Sequence, residues 1–279
     1  MAVQGQEPRT TESSRGHVGS SHRHRGRVYV VTGGTQGLGR GIAEYLSEVD
    51  AKGLIICGRN RERGEAAAAA LTAGETRCVY VPADLEGEAD CRAVIRAADR
   101  EFGTVHGLVN AAGITDRGDL ETTSVETWDR IMAVNARAPF ILMQETVRLM
   151  KRDRVRGSIV NMVSDTAHCG QSFLTAYAAS KGALATLTKN AANALRWDRI
   201  RVNGILLGWM YTPMEHQKQL EAGAPEDWLD RAEREKPFGR ILRPRDLAYL
   251  VEYLVSDRAE MMTGSLIDFD QKVIGALEA

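Results

Sequence analysis

The chain has 279 residues and a formal net charge of −1, with 43% hydrophobic and 26% charged residues, which is ordinary for a soluble globular protein. A net charge so near zero gives no field that would attract nucleic acid or an acidic membrane, and no apolar run approaches the ~20 residues that span a bilayer. We therefore expect no nucleic-acid partner and no membrane partner. The four cysteines have no CxxC spacing, which is typical of free thiols in a reducing compartment, so we expect a cytoplasmic location.

Residues 1–26 differ in composition from the rest of the chain. They are rich in Ser, Gly, Arg, His and Thr and show no apolar periodicity, which predicts a disordered N-terminal tail. The segment has no apolar stretch of the kind that secretory signals need. The folded domain is expected over residues 27–279.

From residue 27 onward, short apolar runs alternate with amphipathic patterns. Strands are predicted at 28–32, 54–57, 78–81, 108–111, 158–163, 200–206 and 265–269. Helices are predicted from about 38 to 46, over 61–71, around 94–102, over 125–152 and 176–195, in the charged region 214–235, and over 244–256. This alternation predicts an α/β fold: one Rossmann-like doubly wound domain, with a seven-stranded parallel sheet and helices on both faces.

A glycine-rich turn, TGGTQGLG at 32–39, lies between the first strand and the first helix. Glycines at 33, 37 and 39 allow a tight turn, and the helix N-terminus offers free N–H groups to a pyrophosphate. A glycine triplet alone is as often a plain turn as a phosphate-binding turn. Its place in the first strand–turn–helix unit favours a dinucleotide cofactor.

The end of the second strand bears on which dinucleotide is bound. An acid that reads a ribose 2′-hydroxyl would stand there, but the position is Gly58 and Arg59 follows. A guanidinium can pair with a 2′-phosphate, so NADP(H) is favoured over NAD(H). The alternative is that Arg59 is a solvated loop residue and that either cofactor is accepted.

Tyr177 and Lys181 are four residues apart and so lie on one face of a helix. A neighbouring ammonium is expected to lower the pKa of the phenol from about 10 and to make it a general acid or base. Taken alone, this spacing is more often a plain solvated helix face.

Five motifs together resemble the short-chain dehydrogenase/reductase family. They are the TGGTQGLG turn, NAAG at 110–113, Asn135, Ser164, and YxxxK at 177–181, in the family's order over residues 27–270. The resemblance implies an oxidoreductase that transfers hydride between NAD(P)(H) and a secondary alcohol or carbonyl. Tyr177 would handle the proton, Lys181 would lower its pKa and hold the ribose, Ser164 would bind the substrate oxygen, and Asn135 would hold a helix irregularity and a relay water.

The same resemblance implies two sets of contacts. Those with the cofactor are Gly33, Thr35, Gln36, Gly37, Leu38, Gly39, Arg59, Asn60, Asp84, Leu85, Asn110, Ala111, Gly113, Tyr177, Lys181, Gly208, Trp209 and Thr212. Those with the substrate are Ser164, Thr166, Gln171, Tyr177 and Trp209, under a lid at about 209–237. No metal is expected, because the histidines and cysteines show no ligand spacing.

Two departures from the family pattern leave the substrate open. Leu207-Gly208 replaces the usual Pro-Gly, and the C-terminal stretch at 267–271 lacks the common Asp-Gly-Gly. Polar residues after Ser164 favour a sugar or polyol, whereas apolar lid residues allow a hydrophobic or small ketone. The alternative function is a non-catalytic NADP-binding sensor or scaffold. The family implies a homotetramer or homodimer built on the two long helices.

Overall fold

The structure is a computed structural model and describes residues 24–276. The strands in this range are β1 Val28–Thr32, β2 Gly53–Gly58, β3 Arg77–Pro82, β4 Gly107–Asn110, β5 Ser158–Met162, β6 Arg201–Leu207 and β7 Leu266–Phe269. They form one parallel sheet in the order β3-β2-β1-β4-β5-β6-β7. The order reverses between β1 and β4, and in such sheets ligands bind at the carboxyl ends of the strands beside this point.

Helices fill the connections between the strands. They are α1 Gly37–Glu48, α2 Arg61–Leu71, α3 Glu88–Phe102, α4 Val125–Met132, α5 Ala138–Arg152, α6 Thr166–Cys169, α7 Thr175–Leu195, α8 Pro213–Glu221, α9 Trp228–Arg234 and α10 Pro244–Val255. Single 3-10 turns lie at Arg196–Asp198 and Asp257–Ala259.

Alternate side chains of each strand enter two different cores. Tyr29 and Val31 pack with α1, α2 and α10, whereas Val30 packs on the other face with α3, α5 and the end of α7. Successive strand residues point to opposite faces, so both faces of the sheet are buried. The prediction of a Rossmann-like doubly wound α/β domain with a seven-stranded parallel sheet is confirmed.

The helix predicted over 125–152 is interrupted by a π-helical turn at Ala133–Arg137. Its cause lies in the sequence, because Pro139 has no N–H to donate to the carbonyl of Asn135, four residues earlier. The turn widens the helix at Asn135, which is the residue expected to hold an irregularity there.

Two other predicted helical regions differ from the structure. The charged region 214–235 is two helices, α8 and α9, because Gly223 adopts φ +83° and Pro225 follows it. The short helix α6 was not predicted, since four residues are too few to show a helical period.

The folded chain begins earlier than predicted. His24 is fully buried, and its ring nitrogens lie 2.6 Å from the Tyr29 hydroxyl and 2.8 Å from the Glu252 carboxylate. His24 therefore belongs to the folded domain, although the predicted boundary lies after residue 26. Local composition could not show that its partners lie in β1 and α10. The rest of the predicted tail, residues 1–23, lies outside the described residues.

Candidate active site

The glycine-rich turn is shaped by close backbone contacts. Gly33 adopts φ +66°, and a Cβ on it would stand 3.0 Å from the Cα of Ala112. A Cβ on Gly39 would stand 2.5 Å from the Gly33 carbonyl oxygen. Only glycine fits at either position. Within this described turn, α1 starts with no acidic side chain in its first turn and no side-chain cap, so its first N–H groups are available to an anion.

Thr32 joins this turn to the next strand of the sheet. Its hydroxyl accepts hydrogen bonds from the backbone N–H groups of Ala111 and Ala112, both at 3.0 Å. The sequence reasoning missed this role, although Thr32 is the first residue of the glycine-rich motif. The bonds hold the Asn110–Gly113 segment beside the predicted pyrophosphate site.

At the predicted adenosine end, no carboxylate occupies the end of β2. A Cβ on Gly58 would stand 2.9 Å from the Thr35 hydroxyl, so a larger residue there would displace Thr35. The Arg59 side chain is exposed and has no ion-pair partner within residues 24–276. Arg63, which was not predicted, contacts Gln36 of the turn and brings a second guanidinium to this end.

Three predicted cofactor residues at this end have structural partners. The Asn60 side chain caps α2 by accepting a bond from the Arg63 N–H at 2.8 Å. Asp84 is exposed, and its carboxylate accepts a bond from the Glu86 N–H at 3.1 Å. Leu85 is buried in the core beside α3. The side chain of Leu85 is therefore not free to contact a cofactor, and that of Asn60 has one acceptor position occupied.

The Asn110 side chain points into the sheet. Its Nδ2 donates to the Asn161 side chain at 2.8 Å, and its buried Oδ1 has no partner among the described atoms. Asn161 in turn donates to the Thr188 hydroxyl at 2.9 Å. Any contact of Asn110 with a cofactor is thus made by its backbone at the end of β4.

Asn135 clamps the loop that follows β4. Its amide donates to the Ile114 carbonyl at 2.9 Å and its oxygen accepts from the Ile114 N–H at 2.9 Å. The same amide donates to the Ser180 hydroxyl at 3.1 Å, and that hydroxyl donates to the Tyr177 carbonyl at 2.7 Å. Ser180 was not predicted, although it lies inside the YxxxK motif. The clamp fixes helix α7 against the π-helical turn.

Lys181 is buried beside the end of β5. Its Nζ donates to the Met162 carbonyl at 2.7 Å and lies 5.5 Å from the centre of the Tyr177 ring. Burial disfavours the charged form and lowers the pKa of Lys181 to about 8. A Cβ on Gly113 would lie 3.6 Å from this Nζ and 3.4 Å from the Asn135 oxygen, so the bare backbone of Gly113 borders both groups.

The pKa of Tyr177 is raised above its ordinary value of 10.0. Burial of the phenol is the main cause, Ser164 partly offsets it by hydrogen bonding, and the negative charge of Asp165 adds to the rise. The expectation of a lowered pKa for Tyr177 is therefore wrong. The sequence spacing placed Tyr177 and Lys181 on one helix face but could not show how far the phenol is removed from water.

Ser164 lies just beyond the end of β5 and is fixed by its neighbours. Its hydroxyl donates to the Asp165 carboxylate at 3.1 Å and accepts from the Thr166 hydroxyl at 3.0 Å. Thr166, predicted to touch the substrate, is mostly buried and uses its hydroxyl to hold Ser164. Gln171 is exposed in the turn between α6 and α7.

The lid is built on an aromatic cluster. Trp209 and Trp228 stack with their ring centres 5.6 Å apart, and the Trp209 indole donates to Glu215 at 2.8 Å. Thr212 caps α8 by accepting from the Glu215 N–H at 3.1 Å. A Cβ on Gly37 would lie 3.7 Å from the Thr212 methyl, so the start of the lid reaches the glycine-rich turn.

The loop that lacks the usual proline is held by the C-terminal strand. The Gly208 N–H donates to the Phe269 carbonyl at 3.1 Å. A Cβ on Gly208 would stand 2.1 Å from the carboxyl carbon of Asp270. The side chain of Asp270 therefore packs directly on the Gly208 backbone.

Two features are absent from the part of the chain that the structure describes. No group of three or more His, Cys, Asp or Glu side chains in residues 24–276 is placed to hold a metal ion. No helix in the same range is both long and apolar enough to cross a bilayer.

A family model described as enoyl-(acyl carrier protein) reductase, one of the short-chain dehydrogenase/reductase models, matches residues 33–271. The chain belongs to the short-chain dehydrogenase/reductase family. This confirms the resemblance, and the match begins at the glycine-rich turn and ends just after β7.

Named members of the family resemble the chain over most of its length. A 3-beta-hydroxysteroid dehydrogenase of Comamonas testosteroni is 35% identical, covering 91% of this chain and 98% of its own. An NADP-dependent (R)-specific alcohol dehydrogenase of Lentilactobacillus kefiri is 35% identical, covering 87% and 94%. A 2-(S)-hydroxypropyl-CoM dehydrogenase of Xanthobacter autotrophicus is 32% identical, covering 90% and 97%. As predicted, the protein is a short-chain dehydrogenase/reductase, an oxidoreductase of the kind that acts on CH–OH groups.

Proposed function

We propose that the protein interconverts a secondary alcohol and its carbonyl compound with NADP(H) as the preferred cofactor. The observation that carries the proposal is the convergence of Ser164, Tyr177 and Lys181 at the carboxyl ends of β5 and β6, beside the glycine-rich turn. A bound nicotinamide would supply the hydride acceptor or donor. The residues described above fit such a cofactor, because the start of α1 offers free N–H groups and the bare backbone of Gly113 borders Lys181.

Each side chain has a role that its contacts support. Tyr177 donates a proton to a carbonyl oxygen or accepts one from an alcohol, and its raised pKa keeps it in the donor form at neutral pH. Ser164 hydrogen-bonds the same substrate oxygen and stabilises charge there. Lys181, which stays largely cationic below about pH 8, holds the ribose hydroxyls. Asn135 keeps the Ile114 loop and α7 in place and borders a relay water next to Lys181.

The test is a turnover screen of secondary alcohols, polyols, sugars and ketones with NAD(H) and NADP(H) in parallel. Replacing Tyr177 by Phe removes the proton donor while keeping the ring, so we expect turnover to fall by about 100- to 10,000-fold. Cofactor binding, followed by nicotinamide fluorescence, should change little. If wild type and Tyr177→Phe both bind NADP(H) and neither turns over any compound, the alternative of a non-catalytic sensor or scaffold is favoured.

NADP(H) preference rests on the missing acid at Gly58 and on the guanidinium of Arg59, which has no ion-pair partner among residues 24–276. The Lentilactobacillus kefiri relative is named NADP-dependent, which supports the same choice. Arg59→Ala should reduce the NADP-to-NAD ratio of kcat/KM by about 10- to 100-fold, the usual value of a charged hydrogen bond to phosphate. Arg61→Ala is the matched control, since Arg61 pairs with Glu65 on the same helix. A wild-type preference for NAD would show this choice to be wrong.

We further propose assembly into a homotetramer or homodimer through the long helices. Phe140 of α5 and Trp128 of α4 are 47% and 38% exposed, which supports an apolar contact there. Light scattering of wild type and Phe140→Asp would test it, and a wild-type monomer would contradict it. A cytoplasmic location stays a prediction.

A further inference from the structure

Asp165 lies directly beside the proposed position of the reacting oxygen. Its Oδ1 accepts the hydrogen bond that the Ser164 hydroxyl donates at 3.1 Å, and its charge acts on the Tyr177 phenol. Both groups that would hold the substrate oxygen therefore have this carboxylate as a neighbour. A group on the adjacent substrate carbon would lie within hydrogen-bonding reach of it.

The position of Asp165 is fixed by the surrounding backbone. Its N–H donates to the Leu207 carbonyl at 3.1 Å, and its carbonyl accepts from the His168 N–H at 3.0 Å. The side chain is 21% exposed, so it is largely removed from water. The Lys272 ammonium lies 3.8 Å from Oδ2, which leaves Oδ1 to face the site.

Lys272 belongs to a C-terminal strap, which we define as residues 268–272. The strap is tied to the segment after Ser164, since Asp268 lies 2.6 Å from the His168 ring nitrogen. It is also tied to the end of the lid, because the Gln271 side chain accepts from the Phe238 N–H at 2.8 Å and donates to the Arg240 carbonyl at 2.5 Å. These bonds keep a positive charge beside Oδ2 of Asp165.

Substrate binding changes what Oδ1 of Asp165 can accept. When the Ser164 hydroxyl turns to donate to a substrate oxygen, Oδ1 loses its donor, and a largely buried acceptor left without a donor is costly. A hydroxyl on the neighbouring substrate carbon replaces that donor. A neutral hydroxyl is enough to replace the lost donor. The exposed Lys272 ammonium, 3.8 Å from Oδ2, offsets the carboxylate charge only in part.

We propose that Asp165 determines specificity by selecting substrates with a hydroxyl on the carbon next to the reacting one, that is, vicinal diols or the matching hydroxyketones. This inference rests on the proposed function, because Ser164 and Tyr177 define where the reacting oxygen lies. It narrows the polyol class that the polar residues after Ser164 favoured.

The experiment compares matched alcohols with and without that hydroxyl. Propan-2-ol is paired with propane-1,2-diol, and 1-phenylethanol with 1-phenylethane-1,2-diol, each assayed with both cofactors. Wild type should favour the diol in kcat/KM by about tenfold or more in at least one pair. Asp165→Ala should lower kcat/KM for the diol about tenfold more than for its partner. Asp227→Ala is the control, because Asp227 lies on the outer lid and pairs with Arg231.

A second variant tests the charge balance. Lys272→Gln removes the cation beside Asp165. The kcat/KM for 1-amino-2-propanol should then rise roughly a few fold relative to that for propane-1,2-diol. The proposal would be overturned if wild type showed no preference for the diols. It would also be overturned if Asp165→Ala lowered kcat/KM equally for both members of each pair. Absence of turnover with every alcohol and both cofactors would instead contradict the proposed function.

Discussion

The catalytic corner and the lid are held in different ways. The corner consists of Asn135, Ser164, Tyr177, Ser180 and Lys181; apart from the partly exposed Tyr177, these residues are at most 5% exposed and are bonded to the sheet edge or the π-helical turn. The lid helix α8 buries none of its side chains, and α9 buries Trp228 and Ala232. The residues proposed to carry the chemistry thus have a rigid support, whereas the lid is held mainly by side-chain contacts that a few substitutions can change.

After Tyr177→Phe, the largest effect expected in the corner is that of Ser164→Ala. Losing a donor to developing charge on oxygen should lower kcat about 100- to 1,000-fold. Thr166→Val should lower kcat about tenfold, because this variant removes only the bond that orients Ser164. Thr166→Ser keeps a hydroxyl and should retain most of the kcat. If Thr166→Val alters thermal stability but not kcat, Thr166 does not orient Ser164.

Asn135→Ala should lower kcat about 10- to 100-fold and unfolding free energy by about 1–3 kcal/mol, because both backbone groups of Ile114 lose their partner. Asn190→Ala, at an exposed position on α7, is the control for the substitution itself. Denaturant unfolding and steady-state kinetics on both variants would separate the two effects. Equal stability of the two variants would show that the clamp contributes little.

The pH dependence of carbonyl reduction should follow Lys181. Its lowered pKa means that the ammonium loses its proton above about pH 8, while the raised pKa of Tyr177 keeps the phenol protonated. We expect kcat/KM for a ketone to be level below that pH and to fall about tenfold over the next unit. A profile measured from about pH 6 to about pH 10 that stays level throughout would contradict this.

The smallest effect is expected where the lid begins. Gly208→Ala would place a methyl group against Asp270. We therefore expect the KM for the cofactor to rise roughly a few fold and the Tm to fall. Asp270→Gly should rescue Gly208→Ala in the double variant, since it removes the obstacle. Gly182→Ala, with open space around its Cβ, is the control and should be neutral. Failure of the rescue would mean that Asp270 does not hold this loop.

The corner was predictable and the strap was not, for a physical reason. The glycine-rich turn and YxxxK are local patterns whose spacing fixes their geometry, whereas the helix irregularity at Asn135 was expected only from the family resemblance. The contact of His168 with Asp268 joins residues 100 positions apart, and no local period reveals such a pair. Burial was equally hidden, which is why the predicted direction of the Tyr177 pKa was wrong.

The buried His24 fixes where the chain enters the domain. It bonds to Tyr29 at the start of β1 and to Glu252 of α10, on the side of the sheet where the parallel strands begin. The predicted cofactor site lies at the opposite, carboxyl ends of the strands. A protein fused ahead of His24 should therefore be joined to the domain on the side away from the predicted cofactor site. A chain shortened past His24 would leave the Glu252 carboxylate with only one of its two partners.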